Sequence, residues 1–336
     1  FDRIESADWK DLENDARRYG QNFAREFGPS GARKLVQSIE IGNEPGNWSD
    51  DHYREIYKSM AQGIRKGDPK LKIASCNLTT SPSGKYEKSV SCLTGFPDLV
   101  DILTIHTYAQ LENWPTWKRS FPEDPALPKY IRDVEDLCAW RDEHMPGKPV
   151  WITEFGYDST TKPQQESGTF SKWVGVTDQQ QAQWIVRSLL VFSSMPVERA
   201  YIYFFNDSDE AKLHASSGLT RDFKPKPSFH SVAHLQKTLG NSRFTRIVKN
   251  EAGKVRIHEY QDASNPKRIT WAVWHPGSGD TPKSITLPKR PGKLVATSKM
   301  PLSSQTDTQG AIGISPDFDL DILIDGSPLY LTFEKK

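Results

Sequence analysis

Residues 38–46 read Ser-Ile-Glu-Ile-Gly-Asn-Glu-Pro-Gly. The run from Leu35 to Ile41 is short, apolar and β-rich, and the Gly-Asn-Glu-Pro-Gly that follows predicts a strand turning sharply at its C-terminal end. Upstream, residues 8–28 place Trp9, Leu12, Ala16, Tyr19, Phe23 and Phe27 mostly three or four positions apart and stop at Gly28-Pro29. That spacing predicts an amphipathic helix. Downstream, Asp50 to Arg65 is helical in pattern and Leu71 to Cys76 reads as a strand.

The alternation continues outward. Strands are expected at Leu99–Tyr108, Pro149–Phe155 and Arg199–Asn206, with helices near Pro128–His144, Gln179–Ser194 and Ser228–Leu239. Strands alternating with helices imply parallel crossovers and an α/β fold, either doubly wound or a barrel. Past Gly240 the texture changes to short alternating segments: Phe244–Val248, Lys254–Tyr260, Arg268–Trp274, Ser284–Leu287, Lys293–Thr297 and Leu329–Phe333. Gly, Pro, Asn or Ser stand between them, which predicts an antiparallel β-sandwich. The expected domains are therefore residues 1–240 and 241–336. Trp271 and Trp274, at odd spacing, are expected on opposite faces of their strand.

The 336 residues can bury a large core, and 44 Lys and Arg against 43 Asp and Glu leave a net charge of +1. No global field draws such a chain to nucleic acid or to an anionic membrane. No apolar run reaches the ~18 residues of a membrane span. Cys76, Cys92 and Cys138 are too few and too scattered for a disulfide framework or a thiolate zinc site, and are read as packing residues.

Glu44 and Glu154 each follow a strand of the α/β portion. In barrels, side chains at the C-terminal ends of parallel strands converge although they are distant in sequence. Two converging carboxyls are what glycoside hydrolysis requires: one protonates the leaving oxygen while the other attacks the anomeric carbon. On the strand between them, His106 and Tyr108 share one face and reach the same end. Glu40 shares strand parity with Glu44 but lies deeper, and a structural ion pair is expected for it.

With Asn43-Glu44-Pro45, His106-x-Tyr108 and Glu154 in hand, the chain resembles the clan A glycoside hydrolases, retaining enzymes on a (β/α)8 TIM barrel. The resemblance covers roughly residues 8–240. It implies that Asn43-Glu44-Pro45 follows the fourth strand, that His106-x-Tyr108 lies on the sixth and that Glu154 follows the seventh, with Glu44 the acid/base, Glu154 the nucleophile and Asn43 hydrogen-bonding the sugar 2-hydroxyl. The strings Glu40 to Pro45 and Thr153 to Gly156, with the trailing β-domain, look most like glycoside hydrolase family 39, with families 5 and 79 close. Family 39 usually has Trp where this chain has Gly42. The eighth strand ends in Tyr203-Phe-Phe-Asn206 rather than the Trp often found there, so Tyr203 or Phe205 is the expected stacking ring.

If Leu35–Ile41 is the fourth strand, three earlier strands, typically ~100–150 residues of a barrel, are expected to be missing from this chain, cleaved from it, or supplied by a separate N-terminal fragment. Trp48, Trp114, Trp117 and Trp173 fall in loops on the catalytic face, where an aromatic ring can stack on a pyranose. The partner expected is thus an oligo- or polysaccharide, with no cofactor and no metal, since no His-x-His or His-x-x-x-His pairing occurs. The sequons at Asn47, Asn77 and Asn206 lie at strand ends beside the site and are read as accidental, which favours a bacterial source; a secreted or periplasmic location is expected. The alternative is a non-catalytic carbohydrate-binding protein on a degenerate barrel.

Overall fold

The computed structural model describes residues 10–46, 48–279, 281–304 and 321–335. They form two compact units: Phe1–Thr107 with Ile131–Glu154 and Pro196–Tyr201, and Tyr108–Tyr130 with Phe155–Met195 and Ile202–Lys336.

The first unit is built on β1 (Ser38–Glu40), β2 (Lys72–Thr79), β3 (Lys88–Ser89), β4 (Ile102–His106), β5 (Val150–Phe155) and β6 (Arg199–Ile202), in the order β1-β2-β4-β5-β6 with β3 beside β2. The pairs β1–β2, β2–β4 and β4–β5 are parallel. This half-barrel sheet carries the expected alternation, with α2 (Asp50–Gly67) between β1 and β2 and α3 (Tyr130–His144) between β4 and β5.

Helix α1 (Leu12–Phe27) forms where its period predicted, but its buried face is offset. Ala16, Gly20 and Ala24 are buried while Tyr19 is 52% exposed. The cause is close approach to α2: a Cβ on Gly20 would lie 2.3 Å from the Met60 carbonyl oxygen, and one on Gly63 2.0 Å from that of Arg17. Small residues let the two backbones touch, so the aromatic stripe is turned aside.

In the second unit, α4 (Asp178–Phe192) starts at a reciprocal cap between Thr177 and Gln180, and α5 (Pro227–Leu239) packs on it. The expected strand Arg199–Asn206 is cut short after Ile202. Asn206–Asp207 instead forms β7, in a small sheet with β8 (Thr220–Arg221) and β9 (Lys224–Pro225).

The C-terminal strands are β10 (Ser242–Glu251), β11 (Val255–Asp262), β12 (Arg268–Trp274), β13 (Lys283–Thr286), β14 (Lys293–Lys299), β15 (Asp321–Ile324) and β16 (Leu329–Glu334). Five pair antiparallel in the order β10-β11-β12-β16-β14, and β13 pairs with β15. Ile322, Ile324 and Ile285 of the small pair share one core with Ile257, Trp271, Leu331 and Phe333 of the large sheet.

Trp271 and Trp274 are both fully buried, because both faces of β12 are covered. The Trp271 ring meets Phe333, while Trp274 meets His258 and donates its Nε1–H to Glu123 at 2.6 Å. Glu123 also pairs with Arg187 of α4, and both are buried. All three cysteines are buried and outside any disulfide, as packing residues would be.

Candidate active site

Parallel pairing brings the C-terminal ends of β1, β2, β4 and β5 to one edge of the sheet, through the register Glu40 to Ala74, Asn77 to Thr104 and His106 to Glu154. The turn after β1 needs its glycines. Gly42 has φ +86°, a left-handed conformation that a β-branched or aromatic residue rarely adopts, which accounts for glycine in place of Trp. Gly46 passes so close to the next loop that a Cβ would fall 1.3 Å from the Lys85 carbonyl oxygen. Between them stand Asn43 and Glu44, with the Asn43 carbonyl accepting the Asn77 N–H at 3.0 Å.

His106 joins the two carboxyls. Its Nδ1 is 2.9 Å from Glu44 Oε1 and 3.5 Å from Glu154 Oε2. The imidazole is 3% exposed, against 29% for the Glu44 side chain and 14% for Glu154, so the carboxyls face outward over a buried ring. Burial opposes the imidazolium, yet the Glu44 hydrogen bond and the charges of Glu154, Glu40 and Glu44 outweigh it and push His106 above its ordinary value.

A β-bulge sets the aim of Glu154. Ile105 pairs with Ile152 but His106 pairs with Glu154, leaving Thr153 as an extra residue. Successive strand residues normally point to opposite faces. Here the bulge lets Thr153 and Glu154 act on the same side, Thr153 toward Glu40 and Glu154 toward His106. One oxygen from each of Glu44 and Glu154 and a ring nitrogen of His106 lie within 4.8 Å of one another, a spacing that could also hold a metal ion.

Glu40 does not form the expected ion pair among the described residues. Its Oε1 meets the hydroxyls of Thr104 at 3.1 Å and Thr153 at 3.2 Å. Burial, with a smaller push from the Glu154 charge, raises its carboxyl to about 7 against the opposing pull of His106 and the two threonines.

Of the other expected residues, Trp48 belongs to the first unit and is 6% exposed; its ring meets His52 edge-on and its carbonyl accepts from Lys88. Tyr108, Trp114, Trp173 and Tyr203 belong to the second unit. There the Arg119 guanidinium lies 4.2 Å from the Tyr108 ring centroid, and His214 stands edge-on to Tyr108 at 4.8 Å and to Tyr203 at 6.0 Å. Trp114 is 71% exposed, whereas Trp173 is 5% exposed and offers little ring face.

Several engaged residues escaped sequence reasoning. Asn77, noticed only as a sequon, accepts the His106 N–H at 2.8 Å and donates to the Tyr86 carbonyl at 3.0 Å. Asn206 is likewise engaged, its Oδ1 accepting from Thr220 and from the Phe223 N–H. Asn47 lies outside the described residues. Thr104 and Thr153 carried no signal beyond strand parity, and His214 sits in a loop at φ +60°, which no spacing rule would select.

A family model described as cellulase (glycosyl hydrolase family 5) matches residues 8–190, more than half of the chain. Among solved structures, a family 39 glycoside hydrolase from the gut symbiont Bacteroides cellulosilyticus WH2 matches with TM-score 0.67 and 19% identity, over 96% of this chain and 62% of its own. This chain thus spans less than two thirds of that enzyme.

An α-L-arabinofuranosidase from Thermotoga maritima matches with TM-score 0.62 and 13% identity, over 96% of this chain and 73% of its own. A glucosidase from Croceicoccus marinus matches with TM-score 0.61 and 14% identity, over 97% and 75%. No curated protein sequence matches the chain.

At these identities the structures speak for the fold alone, which is TIM-barrel-like. They lend no support to a separate N-terminal companion fragment. Family 39 supplies a structural likeness and family 5 the sequence model, and both lie within the expected clan. The chain belongs to the cellulase family, glycosyl hydrolase family 5, of the clan A glycoside hydrolases.

Proposed function

We propose that the protein is a retaining glycosidase that cleaves β-glycosidic bonds of an oligo- or polysaccharide by double displacement, without cofactor or metal. The observation that carries this reading is the approach of Glu44 and Glu154 to within 4.8 Å through their nearest oxygens. A separation of about 5–5.5 Å leaves room for direct attack on the anomeric carbon, whereas inversion needs about 6.5–9.5 Å to admit a water.

In the first step the Glu44 carboxyl gives its proton to the glycosidic oxygen as a Glu154 carboxylate oxygen bonds to the anomeric carbon. The C–O bond to the leaving group breaks and a glycosyl ester remains. In the second, Glu44 takes a proton from water, the hydroxyl oxygen attacks the same carbon, and Glu154 leaves as carboxylate. His106 aims both carboxyls, and Asn43, on the same turn as Glu44, would hydrogen-bond the sugar 2-hydroxyl.

Trp48, Tyr108, Trp114, Trp173 and Tyr203 are proposed sugar contacts. Residues 241–336 are read as a β-sandwich domain following a catalytic portion at 1–240. Among the described residues no helix is long and apolar enough to cross a membrane, and the protein is read as bacterial and secreted or periplasmic.

The test is the stereochemistry of the first product, followed by proton NMR during cleavage of an aryl β-glycoside. Retention with loss of activity in Glu154→Ala, and return of activity with azide to give an inverted glycosyl azide, is expected. An inverted sugar from the unmodified enzyme would exclude double displacement.

A further inference from the structure

Beneath the two reacting carboxyls lies a third. Glu40 ends β1 and reaches past β2 to Thr104 of β4 and Thr153 of β5. These threonines are two residues before His106 and one before Glu154. A single carboxyl thus ties together the strands that deliver Glu44, His106 and Glu154.

Hydrogen-bond counting says which form of Glu40 fits. The Thr104 hydroxyl has one proton, and it has closer acceptors than Glu40: the Cys76 carbonyl at 2.8 Å and the Ser75 carbonyl at 2.9 Å, against 3.1 Å. When that proton goes to a carbonyl, the contact with Glu40 is made only if Glu40 donates. The Thr153 hydroxyl then donates to the same carboxyl oxygen. A neutral Glu40 satisfies both contacts, and an ionised one competes with backbone for the Thr104 proton.

The charged groups around it are few. Glu44 follows on the turn after β1, and the charges that act on Glu40 are His106 from β4 and Glu154 from β5. On β2 its register partner is the uncharged Ala74, with Lys72 two positions before it and the Cys76 thiol two after. On β6, Arg199 is turned to the Trp151 ring.

We propose that Glu40 is a positioning residue for the hydrolysis, a buried carboxyl that is protonated in the resting site and whose ionisation at higher pH holds protons on the Glu44–His106–Glu154 set above it. It touches no substrate and acts through His106 and the strand ends. The inference rests on the retaining reading of that set. Its sign is fixed by charge: a new negative charge below the site favours the protonated forms of its neighbours. The alkaline limb of activity is thereby carried to higher pH.

The experiment compares pH profiles of kcat/KM for the full chain and for Glu40→Gln, which keeps the hydrogen-bonding shape and cannot ionise. The alkaline limb of Glu40→Gln should fall to lower pH by about 0.5 unit or more. A limb that superimposes on the parent, or a loss that is uniform with pH, would overturn the proposal and leave Glu40 a structural tie.

Should Glu40→Gln fail to fold, carbon-detected NMR of glutamate carboxyls in the unmodified protein decides, with one carboxyl expected to titrate at about 7. No such carboxyl would equally overturn it. Glu44→Gln and Glu154→Gln measured alongside separate the two claims: full activity in either defeats the retaining reading whatever Glu40 does.

Discussion

The His106 imidazole is hydrogen-bonded to Glu44 through Nδ1 at 2.9 Å, and the same nitrogen stands 3.5 Å from Glu154. One buried ring nitrogen is therefore hydrogen-bonded to one carboxyl and faces a second that comes from a different strand end. Which of Glu44 and Nδ1 carries the shared proton depends on the tautomer.

Acid/base catalysis by Glu44 should show in the dependence on leaving group. Glu44→Gln is expected to lower kcat by about 10²–10⁴-fold on a natural glycan, whose leaving oxygen must be protonated. A dinitrophenyl glycoside leaves without protonation, so its first step should be nearly unaffected and its ester should accumulate as a burst. Equal losses of kcat/KM on both substrates, with no burst on the dinitrophenyl glycoside, would remove Glu44 from the role.

His106 links pH to stability. Its folded-state value lies above the ordinary one of about 6.5, so its contribution is complete below about pH 6.5 and is lost as pH rises through the folded value. Urea unfolding at several pH values should therefore show the parent's advantage over His106→Gln shrinking as the pH is raised. An advantage that grows toward alkaline pH would mean that the ring is held neutral.

Gly46→Ala places a methyl group into the Lys85 carbonyl, 1.3 Å from its oxygen. The backbone must shift, at a cost of about 1–3 kcal/mol, and the shift moves the turn that carries Glu44. Thermal unfolding and kcat should fall together. A variant with parental Tm and activity would show that this turn yields freely.

In the second unit, Glu123 neutralises Arg187, and the Arg187 side chain is 0% exposed. Glu123→Ala leaves a buried charge and the Trp274 Nε1–H without their partner, so a loss of about 3–5 kcal/mol in urea unfolding is expected. A loss below about 1 kcal/mol would imply that water reaches the arginine.

Much of the fold was legible because periodicity reports local structure: α1, α2, β4, β5 and β12 form within a few residues of where the pattern put them. What the pattern could not carry was depth. The face of α1 that packs is set by the backbone approach at Gly20 and Gly63, not by its aromatic rings. Trp271 and Trp274 are both buried because two layers cover β12, whereas alternation assumes that only one does.

Strand parity singled out His106 and the strand-end positions Glu44 and Glu154, three side chains that lie together in the structure. Parity alone could not foresee the bulge that puts Thr153 and Glu154 to work on one side. Nor could it say that Glu40, expected in an ion pair, would meet two hydroxyls instead. Burial and distance decide such partners, and neither is written in spacing.

The most direct test of the central claim is trapping with a 2-fluoro β-glycoside, followed by proteolysis and mass spectrometry. The account predicts one glycosyl unit per chain, esterified to Glu154 within Thr153–Gly156 and released slowly on addition of an acceptor sugar. A label on another residue, or steady turnover of the reagent to an inverted sugar with no ester formed, would contradict it.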